Sequence, residues 1–254
     1  MTHPIVLVTG GSRGIGAAVA IMAAQRGYDV AFSYQSKAKA AEAVAGTIRA
    51  TGRKVLAMQA DVSVEADVLR LFKTVDQQMG RLDALVNNAG IGRPKPMHLT
   101  DDAELDRFLG VNLRSVFRFS REALGLMQPG ACMVHVASTF GLMGNPGASA
   151  YAATKAALIG LTRQMAVDYG PQGLRINAVA PGLIRTALIE DRLDQPAFRR
   201  LMVDTIPYPR LGEPADVAAG VAFLCSQDAA FINGHVLVID GGWSATNWVG
   251  STPA

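Results

Sequence analysis

The residues best equipped for chemistry are Tyr151 and Lys155, in the run YAATK. They stand four apart in an expected helix, so both side chains leave the same face. A phenol ionises at about 10 and is a poor base at neutral pH. An ammonium held nearby favours the phenolate and lowers that value. Such a tyrosine takes a proton from an alcohol, or gives one to a ketone, near the working pH. Alone, the spacing also describes a core tyrosine beside a surface lysine. Ser138 closes an expected fifth strand, where its hydroxyl can hold the substrate oxygen; the plainer alternative is a turn cap. No Gly-x-Ser-x-Gly surrounds it, which disfavours an acyl-enzyme hydrolase. Asn112 interrupts the apolar stretch FLGVNLRSVF. A buried Asn needs partners, and a water relay to Lys155 would supply them; a bond to a kink in its own helix is the alternative.

A second chemical feature opens the chain. The apolar run Ile5 to Thr9 leads into Gly10, Gly14 and Gly16, with Ser12 and Arg13 inside the turn and Ile15 beyond them. A glycine turn between strand and helix is a phosphate site, because backbone N–H groups and the positive helix end face the anion. The spacing here is Gly-x-x-x-Gly-x-Gly, and a plain tight turn would share it. The second strand ends at Tyr34, followed by Gln35, Ser36 and Lys37, with no acid near in sequence. An acid there would accept the ribose 2′-hydroxyl of NAD. Arg13, Ser36 and Lys37 would instead suit a 2′-phosphate. That favours NADP(H), with NAD(H) still possible, unless the cations are only solvated surface charges.

These groups need a scaffold. Short, nearly continuous apolar runs alternate with segments of helical period. The runs are 5–9, 29–34, 54–60, 84–86, 133–137, 175–179 and 235–239; the helical segments are 15–26, 38–50, 65–79, 102–127, 151–169 and 214–225. Strands buried on both faces look like this. The rhythm predicts an α/β fold: a Rossmann-type, doubly wound sheet of seven parallel strands with helices on both faces. No linker divides the chain, so one domain spanning 1–254 is expected. The stretch 182–212 breaks the rhythm and is expected to be a substrate-binding loop or lid.

Composition narrows the class. Half of the residues are hydrophobic, enough for a large core. The net charge is +3 with scattered basic residues, which points away from nucleic acid. Cys132 and Cys225 stand far apart in sequence, so no disulfide framework is expected. His3, His98, His135 and His235 show no metal-ligand spacing, and His135 reads as a satisfied core histidine. No signal peptide and no run of about 18 apolar residues is visible. A cytoplasmic protein that neither crosses a membrane nor holds a metal is the expectation.

Six motifs then coincide in order: TGGSRGIG (9–16), NNAG (87–90), Asn112 in GVNLRSVF, VAST with Ser138, YAATK, and NAVAPGLIRT (177–186). The chain resembles the short-chain dehydrogenase/reductases over residues 5 to about 242, and Arg13 resembles the NADP-preferring branch. The resemblance implies catalytic roles for Asn112, Ser138, Tyr151 and Lys155. It implies a phosphate cradle from Gly10 to Gly16 and a 2′-phosphate site at Arg13, Tyr34, Ser36 and Lys37. It implies adenine contacts at Asp61 and Val62, although Asp61 could equally cap a helix. Asn88, Ala89 and Gly90, with Asn87 before them, would wall the adenosine ribose. Tyr151 and Lys155 would reach the nicotinamide ribose. Pro181, Gly182, Ile184 and Thr186 would hold the nicotinamide amide and the phosphates. A homotetramer is implied too. The Ala137 of VAST and the tail after Gly242 depart from the family pattern.

The implied reaction is hydride transfer between NADP(H) and a small-molecule carbonyl or secondary alcohol. A carbonyl reductase or sugar/polyol dehydrogenase ranks first. The alternative is 3-oxoacyl-[acyl-carrier-protein] reduction, whose acidic partner would want a basic landing patch that the stretches before strands five and six lack. From other classes come a catalytically silent dinucleotide-binding regulator and an epimerase or dehydratase of nucleotide sugars. The intact Asn112, Ser138, Tyr151 and Lys155 speak against the first, and the chain's length against the second. Substrate walls are expected at 91–97, 139–143, Gly147 and 182–212. Arg93 and Lys95 would attract an anionic substrate unless they are ordinary rim cations. Apolar excess on 102–127 and 151–169, with Trp243 and Trp248 beyond the last strand, points to subunit contacts.

Overall fold

Seven parallel strands form one sheet in the order β3-β2-β1-β4-β5-β6-β7 in a computed structural model that describes residues 3–245. Trp248 lies outside the described residues. In chain order the elements are β1 (Ile5–Val8), α1 (Gly14–Gln25), β2 (Asp29–Tyr34), α2 (Ala38–Ala50), β3 (Val55–Gln59), α3 (Glu65–Met79) and β4 (Ala84–Asn87). Then follow α4 (Asp102–Leu109), α5 (Ser115–Leu124), β5 (Cys132–Val136), α6 (Ser149–Tyr169), β6 (Arg175–Pro181), α7 (Pro196–Phe198), α8 (Pro214–Cys225) and β7 (Val236–Ile239).

The continuous apolar strands are explained by two cores. One packs alternate strand residues such as Val6, Val8, Phe32 and Val134 against α1, α2 and α8. The other packs Leu7, Leu85, Met133 and Ile176 against α3, α5 and α6. Strands with helices on both faces have no polar side to alternate toward. The helix starts are local: Asp101 accepts a hydrogen bond from Glu104 N at 2.8 Å to begin α4. Pro214 opens α8 inside a reciprocal Glu213–Asp216 cap. Both residue types are common at first turns.

The helix expected over 102–127 runs to Leu124, with a π-turn at Gly110–Arg114 joining α4 to α5. Ser115 Oγ bonds back to Val111 O, and the Asn112 side chain is drawn out toward the loop after β4. Hydrophobic period alone does not reveal one extra residue in a turn. Strand ends also shift by a residue or two: β5 begins at Cys132, and β6 runs on to Pro181.

The segment 182–212 carries short helical turns at Glu190–Arg192, α7 and Arg199–Val203. A bridge between Ile184 and Gly212 joins its two ends. Leu193, Phe198, Ile206 and Leu211 bury one another in a small core of its own. Cys132 and Cys225, remote in sequence, are neighbours where β5 starts and α8 ends, and both thiols are free.

Candidate active site

From β1 the chain winds to β2 on one side of the sheet, and β4 lies on the other. That switch point opens a crevice at the carboxyl ends of the strands. The glycine turn is tied to the exit of β4. Thr9 Oγ1 accepts from Asn88 N and Ala89 N, both at 2.9 Å, while Asn88 Nδ2 donates to Thr9 O at 2.9 Å and Gly10 O at 3.3 Å. Gly10 N donates to Ser33 Oγ at 3.2 Å. A Cβ on Gly16 would overlap Gly10 O and the Asn88 amide, so α1 starts hard against the turn. No side chain caps α1. Its first N–H groups are therefore free to meet an anion, and the turn fits a dinucleotide pyrophosphate. Thr9 and Ser33 are positioning residues that the motif reading missed. A polar residue closing an apolar strand was the available signal. The Asn88 amide, expected at the ribose, is spent inside the turn.

Arg13 is exposed at the start of α1, and Ser36 and Lys37 are exposed beyond the end of the neighbouring β2; Tyr34 is half-buried there. The acid absent from the local sequence arrives through space. Asp61 accepts from Gln35 Nε2 at 2.8 Å, and also from Ser63 N at 2.9 Å and Ser63 Oγ at 2.6 Å. Burial favours the neutral carboxyl, but the bonds from Ser63 and Gln35 outweigh it and hold Asp61 below its usual range. Asp61 caps its own turn rather than α3, which begins at Glu65 without a side-chain cap. Val62 is buried beside it.

Ser138 lies two residues past β5 and caps the turn that follows. Its Oγ accepts from Phe140 N at 3.2 Å, capping the turn Thr139–Gly141. It also lines one cleft with Tyr151. The turn sits directly on α6: a Cβ on Gly141 would come 2.7 Å from the carbonyl carbon of Lys155. Only glycine lets the serine approach the helix that carries Tyr151 and Lys155. Phe140 meets the Tyr151 ring edge-on at 6.1 Å and lies 5.8 Å from Trp243.

Lys155 is 4% exposed, and its Nζ donates to Val136 O at 2.7 Å. The same Nζ is 5.7 Å from the centre of the Tyr151 ring. Burial pushes the Lys155 ammonium down to about 8. Burial pushes the Tyr151 phenol up, opposed by the Ser138 hydroxyl. The expectation that Lys155 depresses Tyr151 is thus not met in the protein alone. Desolvation of the phenolate dominates, and the lysine spends a proton on a backbone carbonyl.

Asn112 binds the loop after β4. Its Oδ1 accepts from Ile91 N at 2.8 Å, and its Nδ2 donates to Ile91 O at 3.0 Å and Thr154 Oγ1 at 3.4 Å. The amide thus ties α6 and the loop after β4 together. It still stands close to the lysine, since a Cβ on Gly90 would be 3.3 Å from Asn112 Oδ1 and 3.7 Å from Lys155 Nζ.

Beneath the site, Asn87 Nδ2 contacts Ser120 Oγ at 3.2 Å and His135 Nδ1 at 3.1 Å. His135 is fully buried, and burial together with the Lys155 charge lowers it to about 4. It is a neutral core histidine, though only half satisfied: Nε2 has no protein hydrogen-bond partner among the described residues.

One cleft of about 670 Å³ takes in Ser138, Tyr151, Lys155 and the 182–212 segment. Ile15, Asn88, Gly90, Pro181, Gly182 and Ile184 line it too. Thr186 reaches back to the phosphate turn: a Cβ on Gly14 would sit 3.4 Å from its methyl group. Arg13, Ser36, Lys37 and Asp61 lie outside this cleft. The two cations expected to attract substrate are already paired. Arg93 Nη2 bonds both Asp191 oxygens at 2.9 Å, and Lys95 Nζ lies 2.7 Å from Glu104.

This fold and site define a nicotinamide-dinucleotide oxidoreductase architecture, and known proteins bear that out. A family model described as enoyl-(acyl carrier protein) reductase matches residues 10–244. A 3-oxoacyl-[acyl-carrier-protein] reductase of Staphylococcus aureus is 39% identical over 238 residues, covering 93% of this chain and 96% of its own. Cyclopentanol dehydrogenase of a Comamonas species is 39% identical over 243 residues, covering 95% and 97%. A short-chain dehydrogenase of Burkholderia cenocepacia, solved with NADP, superposes with a TM-score of 0.89 at 39% identity, covering 96% of this chain and 98% of that one. The chain belongs to the short-chain dehydrogenase/reductase family and is an oxidoreductase of CH–OH groups.

Proposed function

We propose that the chain is an NADP(H)-dependent carbonyl reductase, or the corresponding secondary-alcohol dehydrogenase, acting on a small molecule. The observation that carries this reading is that Ser138, Tyr151 and the buried Lys155 line one cleft together with Ile15, at the end of the dinucleotide turn. When bound, NADPH supplies the hydride from nicotinamide C4. The protein does the rest. Ser138 holds the substrate oxygen. Tyr151 gives that oxygen its proton in reduction and removes it in oxidation. Lys155 binds the nicotinamide ribose and stabilises charge at Tyr151, while Asn112 fixes the Ile91 loop against the lysine. Gly10, Ser12, Gly14, Ile15 and Gly16 cradle the pyrophosphate, with Pro181, Gly182, Ile184 and Thr186 across the cleft. Arg13, Tyr34, Ser36 and Lys37 take the 2′-phosphate, and Asp61, Val62, Ala89 and Gly90 bound the adenosine.

Residues 1–254 form one domain in this reading, with 182–212 as its lid. A cytoplasmic homotetramer completes it. Free thiols at Cys132 and Cys225 suit a reducing compartment. Phe117 and Val167, 56% and 72% exposed, suit subunit contacts. A second reading, 3-oxoacyl-[acyl-carrier-protein] reduction, is favoured by the name of the staphylococcal relative. Against it, the α5 cations Arg118 and Arg121 are engaged with Glu65 and Glu122 rather than free for an acidic partner.

The test is oxidation of NADPH and of NADH by the purified protein with a panel of small ketones and with a 3-oxoacyl carrier protein. Turnover of free ketones with NADPH supports the first reading. Turnover of the carrier-bound substrate alone supports the second.

A further inference from the structure

We propose that Arg192 is a specificity residue that binds an anionic group on the substrate, a carboxylate or its chemical equivalent. This deepens the reading of the same cleft given above and rests on it.

Three charged residues line the cleft: Arg93, Lys155 and Arg192. All are cations, and no Asp or Glu lines it among the described residues. Two of them have other work. Lys155 is committed to the Val136 carbonyl and the tyrosine. Arg93 is neutralised by a two-oxygen bond to Asp191. Arg192 has no carboxylate partner among the described residues. Its guanidinium lies on the Phe198 ring, 4.4 Å from the centre.

The placement of Arg192 is built. It ends the Glu190–Arg192 turn, directly after Asp191, so the Arg93–Asp191 pair fastens that turn to the loop after β4. Arg93 holds this pairing from a left-handed backbone, φ 63°, the one positive φ at a non-glycine residue described. Gln195 Nε2 bonds Asp191 O at 3.1 Å and steadies the same turn. Phe198 is buried in the small core of the lid, so the ring beneath the guanidinium is fixed. A guanidinium stacked on an aromatic ring keeps its planar N–H fork free at the edge, the geometry that receives a carboxylate. The surrounding wall, with Leu188, Ile189, Leu201 and Met202, is apolar. The complementary substrate is therefore a ketone or secondary alcohol with an apolar body and an anionic end.

The experiment uses oxo acids of graded chain length, each paired with its neutral methyl ester. Rates are measured with NADPH on wild type, Arg192→Gln and Arg192→Lys, and binding of each pair to NADP⁺-loaded protein is measured by calorimetry. The expected result is a preference for the best acid over its ester of roughly tenfold or more, the yield of one charge-assisted bond. Arg192→Gln abolishes that preference by raising KM for the acid alone, and Arg192→Lys retains part of it. The KM for NADPH stays unchanged. The proposal is overturned if wild type treats acid and ester alike in both rate and binding, if Arg192→Gln weakens both equally, or if it weakens NADPH instead. Ester turnover with no acid preference sinks this proposal and leaves the carbonyl-reductase reading standing. Absence of turnover of every ketone sinks that reading, and calorimetry still decides whether the acid is bound through Arg192.

Discussion

Lys155 Nζ lies 5.7 Å from the centre of the Tyr151 ring and gives a hydrogen bond to Val136 O at 2.7 Å. The lysine is thus held by the strand that leads to Ser138, and the tyrosine is left in its protonated form. Burial raises the phenol and lowers the ammonium, so both ends of the pair resist charge. A protonated phenol is the state needed to donate to a ketone. We expect ketone reduction to hold up to alkaline pH, because the phenol stays protonated, and alcohol oxidation to rise with pH as the phenolate becomes available. Paired pH–rate profiles check this, and an oxidation rate flat with pH contradicts it. The stability sign follows the same pairing. Lys155 falls from 10.5 to about 8, so its cost is absent above 10.5 and complete below about 8. Lys155→Met should flatten that part of the unliganded protein's stability–pH curve.

Gly141 sets the distance between Ser138 and α6. In Gly141→Val the new Cβ meets the Lys155 backbone, which cannot move without shifting the helix. The turn must lift, carrying Ser138 away from Tyr151. Small displacements of reacting groups cost on the order of a hundredfold in rate. The expected outcome is a loss of kcat of that order with NADPH affinity nearly unchanged. Loss of NADPH binding in step with kcat would point to general unfolding instead.

His135 provides an acid limit. Its pKa falls from 6.5 to about 4 because burial and the Lys155 charge disfavour the imidazolium. The unfolded chain therefore takes up the proton first as pH falls. Stability from this group is complete above 6.5 and is lost down to about 4, roughly 3 kcal/mol in all. Urea denaturation of wild type and His135→Gln across that range should show the difference narrowing as pH falls. A difference independent of pH would contradict it.

Arg13 and Lys37 are exposed, and neither makes an ion pair among the described residues. If they hold a 2′-phosphate, Arg13→Ala should weaken NADPH about tenfold to a hundredfold and leave NADH unchanged. Fluorescence titration with both cofactors reads this directly, and equal weakening of the two would remove the assignment.

Local patterns were legible in the sequence. The doubly wound order follows from apolar runs and helical segments, and Tyr151 and Lys155 share a helix face because they are four apart. The glycine turn is recognised from the strand before it and the helix after it. What escaped depends on pairs remote in sequence. That the Asn112 amide bonds the backbone of Ile91 shows only once the two are folded together. Arg93 and Lys95 look like free cations until Asp191 and Glu104 arrive. Gly141 reads only as part of the substrate wall at 139–143, because its constraint comes from the backbone of α6. Cys132 and Cys225 become neighbours only when the start of β5 meets the end of α8.

The central claim is that Tyr151 exchanges the proton with the substrate oxygen. The most direct measurement compares wild type and Tyr151→Phe for NADPH binding by fluorescence and for turnover of a ketone that wild type reduces. The account predicts NADPH affinity within a few-fold of wild type and turnover reduced by a factor of roughly 10² to 10⁴. Turnover near the wild-type rate in Tyr151→Phe, with NADPH bound, would contradict it.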